Sequence, residues 1–125
     1  MATVNVRYIV DDVEAAAAFY ADQLDFEVEA QPGPGFAILA RGNLRLLLSQ
    51  PGGPGGAAQP MADGRVPEPG GWNRIQLEVN DLDPLVKHLR EAGVQFRNEI
   101  VEGRGGRQIL ADDPAGNPIE LFEPK

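Results

Sequence analysis

The chain has 125 residues, enough for one domain, with a formal net charge of −8 and no cysteine. Disulfides, thiolate nucleophiles and sulfur-ligated metals are therefore excluded. The acidic balance repels phosphate backbones, which argues against a nucleic-acid partner and gives any cationic ligand a favourable field. No apolar run approaches the roughly 18 residues a membrane helix needs. The first residues show no basic stretch leading into an apolar one, so no secretory signal and a cytoplasmic location are expected.

In chain order, alternation predicts a first strand over about 3–10, with Val4, Val6, Tyr8 and Val10 on one face. Asp12 is the predicted N-cap of a helix over about 12–23, whose stripe is Val13, Ala16, Ala17 and Tyr20. Strands near 26–30, 35–40 and 44–49 follow, divided by Pro-Gly and Gly-Asn turn signals. Residues 51–71 are crowded with Gly and Pro and carry no periodicity, and a stretch of that length suggests a mobile lid. A strand over about 72–79 comes next. After it, Asp81 caps a helix over 82–92 with the stripe Leu82, Leu85, Val86 and Leu89, stopped by Gly93. Strands near 94–101, 106–111 and 118–122 complete the chain.

The order repeats. NVRYIVDDVEAAAAFYADQ over residues 5–23 lies on RIQLEVNDLDPLVKHLREA over 74–92, and each is followed later by Ile-Leu-Ala, Gly-Asn and an apolar strand. The expectation is an α+β fold in one domain, 1–125. Two tandem βαβββ modules, about 1–50 and 72–125 with a linker over 51–71, form curled mixed sheets around a concave pocket. Parity sends Asn5 and Arg7 to the face away from the first helix. It likewise puts Trp72, Arg74, Gln76, Glu78, Pro118, Glu120 and Phe122 on the concave face of the second module.

Three strings carry a resemblance: VDDVEAAAAFYADQLDFEV, LEVNDLDPLVKHLREAGV and above all DDPAGNPIELFEP. The chain resembles the vicinal oxygen chelate superfamily, which includes glyoxalase I, extradiol dioxygenases, fosfomycin resistance proteins and bleomycin resistance proteins. The resemblance covers nearly the whole chain. It implies paired βαβββ modules (the glyoxalase/bleomycin resistance fold), commonly a homodimer, and in the enzymes a divalent metal held at four slots. Carried onto this sequence, those slots fall on Asn5, a position near Leu46, Arg74 and Glu120. Of these, only Glu120 matches the ligand chemistry. Asn5 is a weak neutral donor, Leu46 offers nothing, and Arg74 would set a permanent cation where the metal belongs. The single histidine, His88, reads as a surface helix residue. No metal and no other cofactor are expected.

Other chemistry is sparse. Ser49, the sole serine, has no base but His88, and Gly52-Gly53 and Gly55-Gly56 lack the Lys and helix of a phosphate loop. Glu78 and Glu120 would serve as an acid/base pair, or more simply satisfy Arg74 in a network completed by Asn5 and Gln76. A concave wall of Phe36, Trp72 and Phe122 with Asn5, Arg7, Leu46, Arg74, Gln76, Glu78, Gln108 and Glu120 has the mixture of a small-molecule pocket. Phe19, Tyr20 and Phe26 read as core. The function expected is metal-free binding and sequestration of a planar or cationic, antibiotic-like natural product. The alternatives are a metal-dependent lyase or dioxygenase of the superfamily, or a metal-free isomerase or cyclase using Glu78 or Glu120 as base.

Overall fold

A computed structural model describes residues 4–125, so residue 3 of the expected first strand lies outside the described residues. The chain divides into two compact units, residues 1–69 and 70–125.

In the first unit, β1 (Val4–Ile9) leads into α1 (Val13–Leu24), then β2 (Glu27–Gly33), β3 (Phe36–Arg41) and β4 (Leu44–Ser49). The sheet runs β1-β4-β3-β2, with β1 parallel to β4 and the other pairs antiparallel. Asp12 caps α1 as expected, its carboxylate accepting from the Ala15 N–H at 3.1 Å. The helix ends at Asp25 in the left-handed conformation, and the Phe26 N–H returns to the Tyr20 carbonyl. The expected stripe is buried: Val13, Ala16, Ala17 and Tyr20, with Leu24, against Leu39, Leu46 and Leu48 of the sheet. Tyr20 stands edge-on to both Phe19 (5.1 Å) and Phe26 (5.3 Å), which fixes the entry into β2. Val4 departs from the expected apolar face, since it opens the strand and is exposed.

The second unit repeats the order with β5 (Ile75–Glu78), α2 (Leu82–Glu91), β6 (Val101–Glu102), β7 (Gly106–Asp112) and β8 (Pro118–Pro124), its sheet running β5-β8-β7-β6. Leu82, Val86 and Leu89 are buried beneath α2, while Leu85 is only half-buried. Among the described residues the fold is thus two helices and two open four-stranded mixed sheets, the α+β arrangement the repeat implies.

Three local expectations are corrected. Asp81 sits at the N-cap of α2 without a side-chain bond. Glu123 of β8 accepts from the Leu82 N–H at 2.7 Å instead, a long-range cap no local pattern shows. The strand expected over 72–79 starts only at Ile75, so Trp72 and Arg74 belong to the segment leading into it. The strand expected over 94–101 shrinks to Val101–Glu102 plus an isolated bridge from Phe96 to Ala111, because the Asn98 side chain takes the Leu110 N–H at 2.9 Å in place of a ladder bond.

Residues 51–69, part of the first unit, are turns and bends, and 52–59 fold back on themselves. The Gly52 N–H bonds the Ala58 carbonyl, the Gln59 amide donates to the Gly53 and Gly55 carbonyls, and Ala58 is buried. Gly35, in the β2–β3 turn, makes this close approach possible. A Cβ there would lie 2.7 Å from Pro54 Cδ.

On the helix side of the second sheet, Arg107 of β7 grips Asp83 of α2 with both terminal nitrogens, at 2.7 and 2.9 Å. Hydrogen bonding by that guanidinium holds the Asp83 carboxyl below its ordinary value. A carboxyl whose pKa falls on folding stabilises the fold above its unfolded value, about 3.9, and loses that contribution as pH drops through the folded value. Asp83→Asn is accordingly expected to lower Tm at pH 7. The gap from wild type should close as pH falls below the ordinary carboxyl range, as thermal melts across pH would show.

Candidate functional site

Paired residues of a sheet share a face, so the registers decide which side chains stand on the side away from each helix. In the first unit Arg7 pairs with Leu47 and Asn5 with Arg45, while Ile38 pairs with Leu47 and Phe36 with Ser49. Asn5, Arg7, Phe36, Arg45, Leu47 and Ser49 therefore share that face. Leu46 does not: it pairs with Val6 and Leu39, faces α1 and is fully buried. The expectation that Leu46 lines the concave side is thus corrected to Leu47. In the second unit Gln76 pairs with Glu120, and Phe122 pairs with both Glu78 and Gln108, so these five expected residues do share one face.

A cleft of about 390 Å³ opens on the first unit, lined by Arg7, Pro32, Phe36 and the loop Pro54-Gly55-Gly56-Ala57. Its apolar wall is Phe36 with the prolines and Ala57. Its one charged group is Arg7, whose Nη1 donates to the buried Ser49 hydroxyl at 2.8 Å. No carboxylate of the described residues pairs with that guanidinium. Sequence reasoning named Arg7 and Phe36 but missed Pro32, Ser49 and the 54–57 loop. The crowding of Gly and Pro after Ser49 is the signal that the loop folds back tightly.

The second unit carries a polar network. Arg74 Nε and Nη2 both donate to Glu120 Oε1, at 3.0 and 2.9 Å, and its Nη1 reaches the Trp72 carbonyl at 3.3 Å. Gln76 Nε2 occupies the other carboxylate oxygen at 2.7 Å. Glu120 is 8% exposed, and these bonds compensate its burial. The expected network is therefore present in part. Glu78 is exposed and takes no part in it, and Asn5 belongs to the first unit.

Trp72 is 68% exposed, and one indole face is covered by the Arg97 guanidinium 4.7 Å from the ring centroid. Arg97 is itself fixed by Asp112 at 2.7 Å and by the carbonyls of Gly71 and Gly116 at 2.7 and 3.0 Å. The indole is thus an aromatic plate stiffened from one side. Arg97 was not foreseen, because it lies in a stretch expected to be a regular strand.

The donor set argues against a divalent ion. Among the described residues no three His, Cys, Asp or Glu side chains cluster. Glu120, the one slot with suitable chemistry, has its carboxylate engaged by a guanidinium and an amide. The register equivalent of Glu120 in the first unit is Leu47, which has no donor atom. The residues present do not fit a metal centre of the kind the superfamily's enzymes use.

A wider groove of about 690 Å³ runs beside α2, but its charged walls largely satisfy one another, Arg90 with Glu99 and Arg107 with Asp83.

Comparison with known proteins supplies the context. A family model described as the Glyoxalase/Bleomycin resistance protein/Dioxygenase superfamily matches residues 3–121. Among solved structures, a member of that superfamily from Sphaerobacter thermophilus DSM 20745 is 30% identical, with 98% of this chain and 97% of that one covered and a TM-score of 0.76. TnmS3, an antibiotic binding protein from Streptomyces sp. CB03234, is 26% identical over 100% and 97%, with a TM-score of 0.75. A lactoylglutathione lyase from Agrobacterium tumefaciens shares the fold at 22% identity over 98% and 92%, TM-score 0.72. No curated protein matches the chain.

Proposed function

This chain belongs to the Glyoxalase/Bleomycin resistance protein/Dioxygenase superfamily, and from that membership we propose that it is a binding protein that sequesters a planar, antibiotic-like small molecule without a metal. The observation that carries this reading is the cleft formed by Arg7, Phe36 and the 54–57 loop: an apolar wall, one convergent charge and a volume suited to a small aromatic ligand. The engagement of Glu120 by Arg74 and Gln76 supports it, since the residue best suited to hold a metal or act as a base is already satisfied. So does the likeness to an antibiotic binding protein over the full length of this chain. The exposed Trp72 offers a second stacking surface, and the homodimer implied by the resemblance belongs to the same proposal.

Sequestration requires affinity without consumption of the ligand. Calorimetric titration against a panel of aromatic antibiotics should yield at least one ligand that binds stoichiometrically and is recovered unaltered by mass spectrometry. Phe36→Ala, which removes the main flat wall of the cleft, should weaken that ligand about tenfold, equivalent to about 1.4 kcal/mol. Chemical conversion of the ligand would replace this reading with an enzymatic one. An unchanged affinity in Phe36→Ala would move the site elsewhere.

A further inference from the structure

Building on the binding reading above, we propose that the cleft of the first unit selects an anionic ligand: a carboxylate or phosphate group carried on a flat apolar body. The chain as a whole is strongly acidic, with a net charge of −8, so it has carboxylates to spare for its cations. Arg45, Arg65, Arg74, Arg90 and Arg97 each take one and Arg107 takes two, while Arg41 and Arg104, which show no ion pair among the described residues, do not line the cleft. Arg7 lines the cleft yet pairs with none among the described residues. Its guanidinium donates to the neutral Ser49 hydroxyl, which orients it without neutralising it. A guanidinium presents five donors in a rigid fork, so one bond to a hydroxyl leaves donors for a two-oxygen acceptor.

The loop that lines the cleft with Arg7 carries no negative group either. The N–H groups of Gly55, Gly56 and Ala57 make no hydrogen bond within the described residues, whereas the Gly55 and Gly56 carbonyls accept from the Gln59 amide and the Gln59 N–H. Gly55 lies at φ +83°, and residues 55–57 are exposed, so this loop brings backbone donors and no negative side chain to the lining. That loop is locked by its own bonds, from Gly52 to Ala58 and from Gln59 to Gly53, and by the contact of Pro54 with Gly35. Phe36, Pro32 and Pro54 supply apolar surface, and no carboxylate lines the cleft. The local chemistry thus runs against the global charge: a cation would meet Arg7 and no carboxylate, and an anion would engage the guanidinium.

The test compares naphthalene-2-carboxylate, 2-naphthyl phosphate, 2-naphthalenemethanol and 2-naphthylmethylammonium by titration calorimetry at low salt. Wild type should bind at least one anion roughly tenfold more tightly than the alcohol and leave the ammonium weakest, with the preference shrinking as salt rises. The carboxylate and phosphate arms decide which anion the cleft prefers. Arg7→Met, which keeps the apolar stem, should abolish the preference while leaving the alcohol within about twofold. Ser49→Ala, with the charge retained, should keep a preference for anions. Equal binding of all four, or tighter binding of the ammonium, overturns this inference and leaves the binding reading intact. A loss of the alcohol together with the anions in a still-folded Arg7→Met overturns it too, assigning Arg7 a structural role. If none of the four binds and Phe36→Ala leaves the antibiotic panel unaffected, the cleft reading falls with it.

Discussion

Asp113→Ala is expected to be strongly destabilising. The Asp113 carboxylate, 4% exposed, accepts from the Ala115 N–H and the Asn117 N–H, both at 2.9 Å, and from the Asn117 amide at 3.1 Å. Asn117, equally buried, accepts from the Gly70 N–H at 2.8 Å with its side-chain Oδ1. The loop also presents the Gly116 carbonyl to Arg97, the residue that braces Trp72. Removing the carboxylate leaves buried donors unsatisfied at once, for a loss of about 3 kcal/mol, or about 10 °C in Tm for a domain of this size. Pro114→Ala, at an exposed position of the same loop, should stay within about 0.5 kcal/mol. Urea melts of the two variants test this. Equal effects would mean that loop backbone, rather than the Asp113 bonds, sets the stability. The most family-specific string of the sequence is on this account a structural clasp: it closes the turn that delivers Glu120.

The second large effect is expected at Arg74. Arg74→Ala leaves the Glu120 carboxylate, buried in β8, with Gln76 as its remaining partner. An uncompensated buried charge costs about 3–5 kcal/mol, and the 30% exposure of the Arg74 side chain brings the expected loss to about 2 kcal/mol. Replacing both members, Arg74→Met with Glu120→Met, should recover most of it, because two apolar side chains of similar length leave no charge behind. Stability measured around the double-mutant cycle decides the matter. If the double variant is as unstable as the single one, the pair acts through shape and not through charge compensation.

The fold was largely legible because the chain writes its supersecondary unit twice: the offset of 69 residues aligns β1 with β5 and α1 with α2. Faces were legible where alternation is clean, as in Ile75-Gln76-Leu77-Glu78. They failed by one residue at Leu44-Arg45-Leu46-Leu47-Leu48, where apolar residues fall on both faces and the sequence has no parity to read. Aligning the Gly-Asn pairs misled there. In the first unit Gly42-Asn43 is the whole two-residue turn between the paired Arg41 and Leu44, whereas Gly116-Asn117 ends a five-residue loop between Asp112 and Pro118. The Arg74–Glu120–Gln76 network followed from parity plus the rule that buried charges find partners. The Arg97–Trp72 stack, the cap from Glu123 and the cleft loop did not. Each joins segments whose approach is set by irregular backbone rather than by a periodic pattern.

On this reading the cleft binds its ligand without a metal. The most direct test is calorimetric titration of the chelator-treated protein with the best aromatic ligand of the panel, repeated with Zn²⁺, Ni²⁺ or Mn²⁺ added. Metal-free binding implies the same affinity and stoichiometry in every case, and no heat from the ions alone. Binding that appears only with a metal, and is lost in Glu120→Ala, would contradict it.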